Sequence, residues 1–173
     1  MTSVLRLLIA SSIFAAAGFS LADGAEPTFS LTITAEPAVS KAGSEIKLEV
    51  VLKNLSDHEI GVPADKGARA EFDFGIDVRD EKGDPPGKTN YYRSVTGDHT
   101  GKSAPNEISG EVMVSGSTGE TGVSVGKTLS AHAILGKLYD LSQPGKYTVL
   151  VRKLDPENKV AVKSNTLTIT VTK

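Results

Sequence analysis

The residues best suited to chemistry are thinly spread along this chain. The histidines are His58, His99 and His132, and no two stand three or four positions apart. They fall on a turn, in a Gly/Ser/Thr-rich stretch and on a strand, so spacing does not assemble them as metal ligands. Glu71, Asp73 and Asp77 alternate along what reads as a strand, and three carboxylates on one face could attract a cation. A solvated sheet face accounts for them at less cost, since calcium favours a loop of clustered oxygen ligands. The run Asp80-Glu81-Lys82-Gly83-Asp84 approaches such a loop only faintly.

Two segments imitate phosphate-binding loops: Gly122 to Thr128 and Gly97 to Ser103 both end in Gly-Lys-Thr/Ser. Each has three residues between its glycines where the motif needs four, and neither is fed by an apolar strand into a helix. Hydrolytic chemistry has no better footing. There is no Gly-x-Ser-x-Gly elbow, and no histidine stands beside a candidate nucleophile. The expectation is therefore no catalytic residue, no cofactor and no metal.

The remaining candidates are aromatic. Tyr91, Tyr92 and Arg93 form the best ligand-contacting cluster in a chain without tryptophan. Read as a short strand, the two tyrosines should point to opposite faces, one inward and one exposed. Asn54-Leu55-Ser56 is a glycosylation sequon, meaningful only in a glycosylating secretory pathway.

The ends and composition limit where these residues operate. Arg6 followed by an uncharged run from Leu7 to Leu21, closing on Ser20-Leu21-Ala22, reads as a signal peptide cleaved after Ala22. The run is too short and too rich in Ala and Ser to span a bilayer comfortably. Of 173 residues, 151 would remain as one domain over 23–173, a size that can bury its own core. With no cysteine, packing alone must stabilise an exported chain, and thiol chemistry is excluded. Removing the leader and its single Arg leaves 18 basic against 21 acidic residues. With no run of basic residues along the chain, nucleic acid is not an expected partner, nor is membrane insertion after cleavage. The expected location is periplasmic or secreted, in soluble form.

Period-two alternation dominates the rest. Phe29, Leu31 and Ile33 alternate with polar residues, as do Ile46, Leu48, Val50 and Leu52. A short strand from Glu59 is expected to stop at Pro63. Another, carrying Phe72, Phe74, Ile76 and Val78, closes on the breakers from Asp80 to Gly87. Between Ser94 and Gly122 the pattern fails: 15 of 29 residues are Gly, Ser or Thr. This stretch, 94–122, reads as a flexible insert with one short strand at Glu111–Val114. Leu129, Ala131, Ala133 and Leu135 resume the alternation, and Leu167, Ile169 and Val171 end it. No helix is expected after the leader. Seven or more short strands separated by turns indicate an all-β antiparallel β-sandwich.

Pro144-Gly145-Lys146-Tyr147-Thr148-Val149 resembles the penultimate strand of immunoglobulin-like and fibronectin-type-III-like domains. The resemblance implies that a tyrosine near a corner, Tyr139 or Tyr147, bonds back to the backbone. It covers architecture, because the Cys–Trp–Cys pattern is absent. A weaker resemblance, from Ile46 to Val151, is to the bacterial intracellular proteinase inhibitor family. It rests on Leu52-Lys53-Asn54, on Phe72-Asp73-Phe74 with Asp80 to Gly83, and on Pro144-Gly145-Lys146-Tyr147. The leader, the long insert and a missing aromatic stretch depart from that family, and no inhibitory loop is carried over.

The expected function is an exported, non-enzymatic binding or structural module for a protein or another extracellular ligand. Its contact surface is expected at Pro85–Arg93 and the 94–122 insert, because loops on a rigid scaffold carry binding sites. A proteinase inhibitor is the second reading and an enzyme with a dispersed site the third.

Overall fold

The computed structural model describes residues 26–65, 69–104 and 118–173. The expected leader and the expected strand at Glu111–Val114 lie outside the described residues. In chain order come β1 (Phe29–Glu36), β2 (Val39–Lys41), β3 (Lys47–Asn54), β4 (Ile60–Asp65), α1 (Ala70–Asp73), β5 (Gly75–Arg79) and α2 (Asn90–Thr96). They are followed by β6 (Thr118–Val123), β7 (Thr128–Ile134), α3 (Leu135–Leu138), β8 (Gly145–Leu154), β9 (Ala161–Lys163) and β10 (Leu167–Thr172). The described chain is dominated by β-strands.

One sheet has the order β1-β3-β7 and a second the order β2-β10-β8-β5, with β9 also paired to β8. A separate two-stranded ribbon joins β4 to β6. All pairings are antiparallel except β2 with β10. Alternation in sequence becomes alternation in burial. Phe29, Leu31 and Ile33 of β1 and Leu48, Val50 and Leu52 of β3 join one hydrophobic cluster with Val78, Tyr147, Val149, Val151, Ile169 and Val171 of the second sheet. Burying each of the larger aliphatic side chains contributes about 1.5–3 kcal/mol.

Asp155 fastens the chain's entry to this core. Its buried carboxylate accepts from the Thr28 N–H at 2.7 Å and the Thr28 hydroxyl at 3.0 Å, and from the Glu157 N–H at 2.9 Å. Burial pushes its pKa up, but these donors together hold it below the usual carboxylate value.

Several expectations are corrected. Among the described residues three short helices interrupt the strands, where none was expected. Phe72 does not extend β5, because the backbone turns through α1 and Glu71 and Asp73 leave the strand face, where only Asp77 remains. Pro63 does not end β4, which continues to Asp65. Because β4 pairs on one side only, a residue without an N–H can be accommodated there. The segment 94–122 is structured at both ends: Ser94 to Thr96 belong to α2, and Thr118 to Gly122 pair with β4 through β6.

Candidate functional site

Tyr91, Tyr92 and Arg93 lie on α2, a helix, and this overturns their expected place on a strand. The local reason is capping at both ends. The Thr89 hydroxyl accepts from the Tyr92 N–H at 3.0 Å, and Gly97 closes the helix with φ 67°. Adjacent helical positions point about 100° apart rather than to opposite faces. Both tyrosines are accordingly half-buried, in different surroundings.

Tyr91 turns toward α1, where its hydroxyl donates to Glu71 Oε1 at 2.7 Å. Burial, then the Glu71 carboxylate, pushes the Tyr91 pKa up to about 12. The second Glu71 oxygen, Oε2, is buried with no hydrogen-bond partner. Arg93 turns toward the following loop and donates to Ser103 Oγ at 3.0 Å, with a longer contact to the Gly101 carbonyl at 3.4 Å. It therefore braces the loop.

Tyr92 alone of the three lines a cleft of about 370 Å³ between β5 and the 85–102 segment. Its ring centroid is 5.1 Å from that of Tyr139, at an interplanar angle of 50°. The Tyr139 hydroxyl donates to the Ile76 carbonyl at 2.6 Å, so one tyrosine fixes both the cleft wall and the outer strand of the sheet. Burial, and then Tyr92, drives the Tyr139 pKa far above the ordinary phenol range.

Five of the cleft's charged groups form ion pairs, Lys88 with Asp98 and both Arg79 and Arg152 with Asp77. Lys88 Nζ donates to Asp98 Oδ2 at 2.5 Å and lies 5.1 Å from the Tyr92 ring centroid. Asp98 also accepts from the Thr100 N–H at 2.9 Å and the Thr100 hydroxyl at 2.7 Å. Lys88 first and Thr100 second hold the Asp98 carboxyl well below the usual range. Across the cleft, Asp77 accepts from Arg79 Nε at 2.9 Å, with Arg152 3.8 Å from its other oxygen. The arrangement is an aromatic wall of Phe74, Tyr92 and Tyr139 with polarised rims. No lining residue among those described is histidine, serine or cysteine. Such a cleft can hold a small or narrow group by shape, stacking and hydrogen bonds.

The other sequence candidates disperse. The segment from Gly122 is the end of β6, a turn and the start of β7, and Gly97 is the C-cap of α2, so no helix follows either one. His58 lies between Asp57 and Glu157, His132 is on β7 and His99 is in the loop after α2. No group of metal-ligating side chains forms among the described residues. Asn54 of the sequon is 1% exposed and donates through Nδ2 to the His58 and Val123 carbonyls, each at 2.8 Å, so in the folded chain it is closed to glycosylation.

Both tyrosines implied by the immunoglobulin-like resemblance have structural partners. Tyr147 donates to the Gln143 carbonyl at 2.8 Å, four residues upstream, while Tyr139 reaches Ile76. Sequence reasoning covered Lys88 and Asp98 only as unnamed members of the Pro85–Arg93 and 94–122 stretches, and it missed Arg79 and Arg152 as cleft residues. Thr89 and Gly97, seven residues of helix apart, were the signal that could have placed α2. No helix among the described residues is long and apolar enough to cross a membrane. Comparison with protein-family models and with curated proteins finds no match for this chain.

Proposed function

We propose that this protein is an exported, non-enzymatic binding module in which the two larger sheets form the layers of an immunoglobulin-like sandwich. The cleft beside Tyr92 takes the ligand. The observation that carries this reading is the aromatic wall flanked by two ion pairs, Lys88 with Asp98 and Arg79 with Asp77. Groups already neutralised in this way define a shape and a set of hydrogen-bonding edges. A proton-transfer site needs instead a group free to exchange its proton at the working pH. Tyr92 is the contact residue on this reading, while Tyr91 and Arg93 hold the helix and loop that present it.

The test is a fragment screen by ligand-observed NMR on residues 23–173, with Tyr92→Ala as control and a protease panel assayed in parallel. Fragments that bind the parent chain, lose binding in Tyr92→Ala and leave every protease active support the reading. Fragments indifferent to Tyr92→Ala overturn the assignment of the cleft. Stoichiometric loss of one protease's activity replaces the module with an inhibitor.

A further inference from the structure

The pairing registers settle which side chains share the outward face of the β2-β10-β8-β5 sheet. Lys41 pairs across from Thr172, Lys146 from Thr170, Arg79 from Thr148 and Lys163 from Arg152. Directly paired residues lie on the same side of a sheet. The face therefore carries Lys41, Arg79, Lys146, Arg152 and Lys163, against Asp77 as its one acidic residue. The chain as a whole has a formal charge of −2. The opposite sheet shows no such bias, since Glu36 and Glu49 face outward with Lys47 and Lys53.

Asp77 engages the two arginines. Lys41, Lys146 and Lys163 have no carboxylate partner among the described residues. Glu81, just beyond β5, accepts from the Lys146 backbone N–H. Arg152 and Lys163 stand directly opposite each other, a like-charge pair that Asp77 offsets only from the Arg152 side.

Among the described residues, two of the four exposed large hydrophobic ones, Val39 at 62% and Leu154 at 59%, belong to this same face. Aliphatic side chains set among cations gain little from a soluble polyanion. At a bilayer they enter the headgroup boundary while the cations neutralise lipid charge. We propose that this sheet face docks on a lipid bilayer surface bearing anionic headgroups. Thr168 and Thr170 lie among the cations and offer hydroxyl donors to lipid phosphates, while the Thr148 hydroxyl donates to the Arg79 carbonyl at 3.4 Å. Lys41, Lys146 and Lys163 do not line the Tyr92 cleft, so the docking face is separable from the ligand site.

The test is vesicle co-sedimentation of residues 23–173, which contain every core residue from Phe29 to Val171. Phosphatidylcholine vesicles are compared with mixed phosphatidylcholine–phosphatidylglycerol vesicles, with dextran sulfate as a soluble polyanion. The chain binds the mixed vesicles, releases in high salt and does not bind phosphatidylcholine alone. Lys41→Gln/Lys146→Gln/Lys163→Gln weakens vesicle binding on the order of 100-fold, each lysine giving about fivefold. Val39→Ser/Leu154→Ser weakens vesicle binding but leaves dextran sulfate binding unchanged. All five positions are exposed, so circular dichroism and thermal midpoint confirm that the variants fold. Absence of binding to anionic vesicles, or binding indifferent to the triple lysine change, overturns the proposal. Equal loss of dextran sulfate binding in the valine–leucine variant does the same for the lipid assignment.

Discussion

The side-chain amide of Asn165 lies against the backbone of Ile33 as a neighbouring strand would. Its Oδ1 accepts from the Ile33 N–H at 2.8 Å, and its Nδ2 donates to the Ile33 carbonyl at 3.2 Å. Strand β1 ends its sheet, so without Asn165 these two polar groups would have no partner on that side. The same contact ties β1 to the segment between β9 and β10, linking the two larger sheets.

Asn165→Ala should therefore lower stability by about 1–2 kcal/mol, two neutral hydrogen bonds in part-buried surroundings. Urea denaturation should show a lower midpoint with an unchanged slope, since little surface is altered. Asn165→Asp keeps an acceptor for the Ile33 N–H but sets a carboxylate against its carbonyl, and it should fall below the parent too. A parental midpoint for Asn165→Ala would show that the clasp adds nothing.

Asp98 should stay ionised to unusually low pH, because Lys88 and Thr100 donate to it. A folded pKa below the ordinary 3.8 means that any stability it adds is present above that value and lost as pH falls through the folded one. Carboxyl NMR titration of the parent and of Lys88→Met checks this. The Asp98 midpoint should rise toward the ordinary range in Lys88→Met, and an unchanged midpoint would show that Lys88 does not hold the carboxylate.

His58 works in the opposite sense. Nδ1 lies 2.9 Å from Asp57 and Nε2 lies 3.1 Å from Glu157, joining the turn after β3 to the turn after β8. Hydrogen bonding to Asp57, then to Glu157, raises its pKa above 6.5. Its contribution is complete below 6.5 and fades as pH rises through the folded value. Imidazole NMR should place the midpoint above 6.5, and Glu157→Gln should lower it while Asp57 keeps it from returning fully. A midpoint indifferent to Glu157→Gln would mean that the two turns are not joined in solution.

Most strands were legible because one apolar face of a two-residue period survives any detail of the turns. β1, β3, β7 and β10 follow from that rule, and their inward residues are the buried ones, while β8 was read from its resemblance to an immunoglobulin-like strand. α1 was hidden because Phe72 and Phe74 continue the alternation of Ile76 and Val78. A four-residue helix has no periodicity of its own, and its contacts with distant strands fix it. β6 was hidden for the reverse reason, since Thr-Gly-Glu-Thr-Gly-Val offers no apolar face and owes its form to pairing with β4. At the site, Tyr92 could be nominated from composition. Its relation to Tyr139 and to β5 could not, because those partners meet only after the chain has crossed the sheet.

Lys153 offers the most direct measure of what holds the ribbon and α1 to the second sheet. Residue alternation turns it inward among Val149, Val151 and Val162, and only 9% of it is exposed. Its Nζ donates to the Pro63 carbonyl at 3.1 Å and the Asp73 carbonyl at 2.9 Å, and it lies 4.7 Å from the Phe74 ring centroid. Burial pushes the amine below its ordinary pKa, so the fold binds this proton less tightly than the unfolded chain does. Stability linked to Lys153 should accordingly improve as pH rises from the folded pKa toward 10.5. Lys153→Met keeps the aliphatic stem but removes the Nζ donor from two carbonyls, a loss of about 1–2 kcal/mol. Lys153→Ala also opens a cavity and should cost about 2 kcal/mol more. Denaturant titration of the three chains separates the contributions. If Lys153→Met matches the parent, packing of the stem joins these elements and the ammonium contributes nothing; a deficit in Met that Ala does not deepen assigns the bond to the charge.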